Sequence, residues 1–158
     1  MAETETTPGG EILRELLERV VDALGLEAQV VIEENDERLT GTLDGEELVL
    51  FIGRHGSTIE AVQHLAQRVV GETDGPDIRR RVVVDAAGYR ERREQVLQRQ
   101  AEEAAEDAVR TGRPVALDAM TSSERRVVHE FLRDRGDVET HSEGQEPDRH
   151  LVVSPKSA

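Results

Sequence analysis

Apolar residues recur every three or four positions in three stretches of the chain, which is the spacing of amphipathic helices. This spacing predicts helices over 12–24, 57–70 and 88–110. The first ends at Gly25 and the third ends before Gly112, because glycine is a common helix terminator. The apolar stripes consist of Ile12, Leu13, Leu16, Leu17, Val20, Val21 and Leu24, then Ile59, Val62, Leu65, Ala66 and Val69, then Tyr89, Val96, Leu97, Ala101, Ala104, Ala105 and Ala108.

Runs rich in valine and isoleucine predict three strands in the first half of the chain. The strands are expected over 28–33, 38–43 and 79–85. Asn35-Asp36 is a turn signal that makes the first two strands a hairpin, and Asp44-Gly45 is expected to end it. A helical turn is predicted over 46–52 and a loop over 73–76. Together these elements indicate an α+β module from about residue 10 to 86.

The second half predicts a smaller α/β unit, to which the long helix over 88–110 is assigned. A short strand is expected over 115–117. Thr121 and Glu124 have the spacing of a capping box, so a helix is predicted from there to about residue 134. Two further strands, over 138–142 and 150–153, are predicted to form a second hairpin.

The sequence Gly53–Gly56 joins the predicted helical turn to the next helix. Glycine lacks the Cβ that would block the close approach of another backbone, and Arg54 and His55 supply hydrogen-bond donors. Ser57 and Glu60 have capping-box spacing, so the next helix is expected to begin directly after the loop, with N–H groups available to an anion. The arrangement suits a sugar-phosphate backbone, although short glycine pairs also occur in ordinary turns.

A second candidate pair is formed by Arg125 and His129, which share one face of the predicted helix because they are four residues apart. An Arg/His pair with this spacing usually forms no more than part of a solvent-exposed helix face. Phe131 is expected to point toward a core, as is Phe51, so base stacking on these aromatic residues is not predicted.

The first module resembles a KH domain of the bacterial type (type II), a three-stranded sheet packed by helices in which a G-x-x-G loop clamps nucleic acid. The second resembles the R-three-H domain, whose name describes an Arg and a His separated by three residues. The resemblance implies that Arg125 holds a phosphate and that His129 bonds a phosphate or stacks on a base. It also makes Ser142 and Arg149 contact candidates. The candidate nucleic-acid contacts are therefore Gly53, Arg54, His55, Gly56, Ser57, Arg125, His129, Ser142 and Arg149.

A KH module followed by an R-three-H module resembles the bacterial Jag/KhpB family, and the tract over 81–93 is typical of it. The resemblance implies a binder of single-stranded RNA that acts as an RNA chaperone or post-transcriptional regulator. It also implies effects on cell elongation and envelope homeostasis, and a small single-KH (KhpA-like) partner. Many members carry an additional N-terminal domain, which this chain is expected to lack. The expected division is a disordered acidic tail over 1–9, a KH domain over 10–86 and an R-three-H domain over 87–155.

Charge is distributed unevenly along the chain, whose net charge is −14. Residues 1–50 carry 14 acidic and 3 basic side chains, whereas 79–99 carry 7 arginines and 3 acids. Binding depends on the local field, which salt screens over about 10 Å, so a basic face on an acidic body can still bind nucleic acid. The alternative is a protein-interaction adaptor whose acidic N-terminal half docks a partner, with weak or no nucleic-acid binding.

Several classes of site are disfavoured by the residues present. The chain has no cysteine, which excludes disulfides and thiolate metal sites. Its five histidines are scattered without metal-ligand spacing or a nucleophile–base pairing, so neither an enzyme nor a cofactor is predicted. An acidic, polar N-terminus and short apolar runs predict a cytoplasmic protein without membrane insertion. The choice between RNA and DNA, the RNA targets and the oligomeric state stay open.

Overall fold

The structure, a computed structural model, describes residues 6–76 and 78–156, which divide into two compact units at the junction between Tyr89 and Arg90. The first unit contains α1 (Pro8–Leu24), β1 (Ala28–Glu34), β2 (Arg38–Gly45), α2 (Val49–Ile52), α3 (Ser57–Asp74) and β3 (Arg81–Ala86). α4 (Tyr89–Thr111) begins at the junction, and β4 (Val115–Ala116), α5 (Ser122–Leu132), β5 (Val138–Glu143) and β6 (His150–Pro155) follow it. The predicted α+β order of elements is confirmed.

The sheet of the first unit has the strand order β1-β2-β3, with β1 antiparallel and β3 parallel to the central strand. Alternate residues of β2 and β3 are buried, so one face of the sheet packs against helices α1 and α3. Gly41 of β2 allows α1 to approach closely, because a Cβ there would lie 2.5 Å from Leu17 Cδ1. The core of this unit consists of Leu13, Leu17, Val21, Leu39, Leu43, Leu48, Phe51, Ile59, Val62, Ala66, Val70, Val82, Val84 and Ala86.

The first helix begins earlier than predicted. Thr7 is its N-cap, since the Thr7 hydroxyl accepts a hydrogen bond from Gly10 N, and Pro8 occupies the first helical position. The prediction of a disordered tail over 1–9 is therefore wrong for Pro8 and Gly9, while 1–5 lie outside the described residues. Gly25 ends the helix, as predicted, and it adopts the left-handed conformation.

Two other predicted boundaries are wrong, because strand pairing extends β2 and because α3 continues to Asp74. Asp44 and Gly45 were expected to end the hairpin, but they continue β2 opposite Gln29 and Ala28. Part of the loop predicted over 73–76 belongs instead to the last turn of α3.

The start of α3 lies at Ser57, as predicted, but its cap differs from the prediction. The N-cap residue is Gly56 in the left-handed conformation, and no side-chain hydrogen bond caps the helix. The capping box predicted for Ser57 and Glu60 is therefore absent. Ser57 has already entered the helix, which leaves its hydroxyl in the wrong position to act as the N-cap.

The second unit packs α4 and α5 against the antiparallel sheet β4-β6-β5, and its predicted hairpin is confirmed. Its core consists of Leu97, Ala101, Ala104, Ala105, Ala108, Met120, Val128, Leu132, Val138, Leu151 and Val153. Phe131 was expected in a core, but its side chain is 41% exposed. The buried side of α5 follows Val128 and Leu132, and the helical rotation places Phe131 off that line.

None of the helices formed by residues 6–76 and 78–156 combines the length and the hydropathy that crossing a bilayer requires.

The predicted capping box of α5 is confirmed and yields a stability prediction. Thr121 Oγ1 accepts from Glu124 N, and Glu124 Oε2 accepts from Thr121 N at 3.0 Å. We expect Thr121→Ala to lower the free energy of unfolding of the second unit by about 1 kcal/mol, because the Glu124 N–H in the first turn of α5 loses its side-chain acceptor. Native-state hydrogen exchange of α5 amides would measure the loss. Ser122→Ala, one residue later at an exposed position, should change it by less than about 0.5 kcal/mol; an equal effect would contradict the cap.

Candidate nucleic-acid interface

The Gly53–Gly56 loop is a single tight turn between α2 and α3. Three of its four residues have positive φ: Gly53 (+74°), His55 (+54°) and Gly56 (+75°). Gly56 N donates to Gly53 O at 3.3 Å and closes the turn. Arg54 and His55 are exposed, so the loop presents both side chains to solvent at the start of α3. Because no side chain caps this helix, its positive end can face an anion.

The structure shows that glycine is needed at positions 53 and 56 for a different reason from the predicted one. A Cβ on Gly53 would overlap Thr58 Oγ1, and a Cβ on Gly56 would lie 2.9 Å from the Tyr89 hydroxyl oxygen. The space that a side chain would need is filled by the chain's own residues. Glycine is therefore required for the loop to fold against Thr58 and Tyr89, whether or not another backbone approaches.

Exposed apolar side chains lie next to this loop and were not predicted as part of the site. Val49 is 78% exposed and Leu50 is 61% exposed, while Phe51 on the same short helix is fully buried. The sequence signal was the uninterrupted apolar run over 48–52, because one helical turn cannot bury every side chain of such a run. These residues form exposed apolar surface beside the Gly53–Gly56 loop.

In the second unit, α5 and the β5–β6 hairpin enclose a groove with a volume of about 420 Å³. The groove brings together all four residues predicted for this unit, and sequence reasoning missed the other five. The lining residues are Ser122, Arg125, Arg126, His129, Thr140, His141, Ser142, Arg149 and Leu151. A signal for Arg126 was present, since it lies three residues before His129 and therefore near the same face of α5.

Arg125 and His129 have different environments although both line the groove. Arg125 is 9% exposed, and its Nη1 and Nη2 donate to Met120 O and Glu146 Oε1, each at 2.7 Å. His129 is exposed, with Nδ1 2.5 Å from Thr140 Oγ1. The structure therefore brings the predicted pair to one groove, but it engages the Arg125 guanidinium inside the protein.

Carboxylates accompany most of the basic side chains around the groove. Glu146 pairs with Arg125, Glu130 with Arg126 at 2.9 Å, and Glu143 with His141 at 2.7 Å. The hydrogen bond from Arg126, together with its charge, lowers the pKa of Glu130 below its usual value. This carboxylate therefore stays ionised at neutral pH, and the local positive field is weaker than the arginines alone would give.

Within residues 6–76 and 78–156, no three histidine, aspartate or glutamate side chains converge in a way that could hold a metal ion.

Comparison with known proteins places both sites in recognised domains. The family model described as "KhpA/KhpB, KH domain" matches residues 10–84, and the R-three-H domain model matches residues 95–155. A Bacillus subtilis protein named "RNA-binding protein KhpB" is 30% identical over 142 residues, which cover 89% of this chain and 67% of that relative. This chain belongs to the KhpB (Jag) family.

Two further KhpB relatives bear the same printed name. The Clostridium symbiosum protein is 35% identical over 144 residues, covering 90% of this chain and 64% of the relative. The Lactiplantibacillus plantarum protein is 38% identical over 135 residues, which cover 85% of this chain and 41% of the relative. The chain thus spans about two-fifths to two-thirds of the length of these KhpB proteins. The KH match contains the Gly53–Gly56 loop, and the R-three-H match contains the groove.

Proposed function

We propose that this KhpB-family chain binds single-stranded RNA through two sites, the Gly53–Gly56 loop and the groove beside α5. The observation that carries the proposal is the geometry of the loop. Its three positive-φ residues hold a tight turn that presents Arg54 and His55 outward at the uncapped start of α3. Donors arranged at a helix N-terminus suit a phosphate, and a KH loop of this kind grips about four nucleotides.

The names of the relatives support RNA as the nucleic acid, since each is called an RNA-binding protein. In this proposal a KH domain over 10–86 holds one segment of the strand and an R-three-H domain over 87–155 holds another. Two weak sites on one chain raise the overall affinity, because the second contact becomes intramolecular.

The cellular part of the proposal is a cytoplasmic RNA chaperone or post-transcriptional regulator that affects cell elongation and envelope homeostasis. The match to a KH model shared by KhpA and KhpB supports a small KhpA-like partner. No catalytic step is assigned to this chain.

A titration of fluorescent, unstructured single-stranded RNA by the full chain tests the proposal. We expect the logarithm of the affinity to fall linearly with the logarithm of salt concentration, by about 0.7 for each phosphate neutralised on a single strand. An adaptor that docks a protein partner instead would leave the RNA unbound even at low salt, and that outcome would refute RNA binding.

Reversing the charge of the loop should weaken binding by about tenfold or more, because the two donors proposed to contact the phosphate are replaced by carboxylates that repel it. The variant carries Arg54→Asp and His55→Asp. A matched control carries His64→Asp and Arg68→Asp, because these two residues are also exposed and belong to α3 of the same unit. The control makes the same chemical change away from the loop and should lose much less affinity. Equal losses in the two variants would show that overall charge, and not the loop, determines binding.

A further inference from the structure

We infer that Arg125 is a positioning residue that fixes the loop over 144–149, and that Arg149 on this loop contacts the phosphate, a role that rests on the RNA binding proposed above. The resemblance to the R-three-H domain implied the opposite emphasis, with Arg125 as the phosphate ligand. Contacts around the Arg125 guanidinium, rather than its place in the sequence motif, decide between the two roles.

The guanidinium of Arg125 bridges two separate segments of the second unit. Its Nη1 donates to Met120 O, just before α5, and its Nη2 donates to Glu146 Oε1 on the hairpin loop, each at 2.7 Å. The Arg125 side chain is only 10% exposed. A phosphate that approached this guanidinium would compete with the Glu146 carboxylate, which already accepts a charge-assisted hydrogen bond from Nη2.

Both residues that accept from the Arg125 guanidinium are connected to Arg149. Met120 N donates to Arg149 O at 3.1 Å, so the residue that accepts from Arg125 also holds the backbone of Arg149. Glu146 belongs to the same loop, in which Asp148 N donates to Gln145 O at 2.8 Å. Arg125 is therefore connected to the loop twice, through the Glu146 side chain and through the Met120 backbone. Losing the guanidinium contact to Glu146 would loosen the segment that carries Arg149.

Arg149 is also the groove arginine best placed to meet a phosphate. Arg125 and Arg126 each have a carboxylate partner, whereas the described part of the chain gives Arg149 no ion pair. Its Nη1 donates to Gly144 O at 3.2 Å, a contact to a neutral carbonyl within the same loop. A phosphate that binds Arg149 would displace no internal carboxylate, and it would lie near His129 and Ser142 on the groove wall.

Replacing Glu146 with glutamine gives a test in which the two roles predict opposite changes in RNA affinity. Removing a negative charge beside an anion site should strengthen RNA binding by simple electrostatics. If Arg125 positions the loop, Glu146→Gln should instead weaken binding, by about threefold to tenfold, because the charge-assisted contact to the loop is weakened. Glu130→Gln is the matched control, since it removes a carboxylate paired with Arg126 on the same groove and should leave affinity equal or higher.

A double-mutant cycle with Arg149→Ala identifies the phosphate contact. Arg149→Ala alone should weaken RNA binding and lower the salt slope by about 0.7, the value for one phosphate on a single strand. In the Glu146→Gln background the same substitution should cost less, because Arg149 is then already misplaced. Tighter binding by Glu146→Gln, or full additivity of the two substitutions, would overturn the inference.

Hydrogen exchange separates a failure of this inference from a failure of RNA binding. In the free Glu146→Gln chain, the amides of Met120 and Asp148 should exchange at least about tenfold faster, while α4 amides keep their protection. If the wild-type chain does not bind RNA but these amides lose their protection in the Glu146→Gln chain, the positioning role stands and the proposed function fails. Unchanged protection of Met120 and Asp148 would overturn the positioning role, whatever the RNA result.

Discussion

Arg80→Ala is expected to lower the free energy of unfolding of the first unit by about 3–5 kcal/mol, the largest stability loss that we predict. The Arg80 side chain is 7% exposed and donates to Glu34 Oε2 at 2.7 Å, to Asp74 Oδ2 at 2.6 Å and to Thr7 Oγ1 at 2.9 Å. Its removal leaves two nearly buried carboxylates without their shared cation. Native-state hydrogen exchange of β2 and β3 amides would measure the loss, since it reports on this unit alone.

Arg79→Ala is the control for this prediction, because Arg79 is the exposed neighbour of Arg80. We expect it to change the free energy of unfolding by less than about 0.5 kcal/mol. If Arg80→Ala cost no more than Arg79→Ala, the ion network would not stabilise the unit, and its carboxylates would have to be neutral or hydrated once Arg80 is absent.

The same network makes the stability of the first unit depend on pH. Burial raises the pKa of Glu34, but hydrogen bonds from Thr7 and Arg80 outweigh it and leave the pKa below its usual value. A carboxyl group whose pKa is lower in the folded state than in the unfolded state stabilises the fold. This contribution is complete at pH values above the unfolded pKa, which is about 4.3. The contribution is lost as the pH falls through the lower, folded pKa. Arg80→Ala should reduce this acid-dependent loss, because it removes one cause of the lowered pKa.

Periodicity predicted most of the fold because burial on one face of each element leaves a direct trace in sequence. The stripe that ends at Leu24, the β5–β6 hairpin and the Thr121–Glu124 cap are local patterns, and each is confirmed. The early start of α1 was missed because the apolar stripe that predicted this helix begins only at Ile12. In the folded unit a Cβ on Gly9 would overlap the Asp74 carboxylate, so glycine there serves close packing between helices.

The candidate site was predictable only as far as its residues lie close together in sequence. The spacing of Arg125 and His129 placed them on one helix face, and the groove contains both. The partner that engages Arg125 is Glu146, on a hairpin loop that no helical spacing connects to α5. The Arg80 network was missed for the same reason, since its members come from four separate segments of the chain.

Gly53→Ala is expected to damage both the fold and the RNA affinity of the loop. Gly53 has φ +74° and ψ 178°, a region that is essentially restricted to glycine and costs other residues about 1–3 kcal/mol. The added Cβ would also overlap Thr58 Oγ1 and lie 2.8 Å from Thr58 N. A backbone atom cannot rotate away as a side chain can, so the turn that presents Arg54 and His55 must shift. We expect RNA affinity in the titration above to fall by about tenfold or more.

Gly75→Ala separates backbone strain from this overlap. Gly75 has φ +82° and ψ 178°, nearly the same conformation as Gly53, but a Cβ there would meet no atom within 4 Å. It should therefore cost about 1–3 kcal/mol in the free energy of unfolding, with RNA affinity unchanged. The loss of unfolding free energy in Gly53→Ala beyond the loss in Gly75→Ala measures the cost of the overlap with Thr58. Equal stability losses and equal RNA affinities for the two variants would mean that the loop tolerates the overlap, and that its tight packing against Thr58 does not set the position of Arg54 and His55.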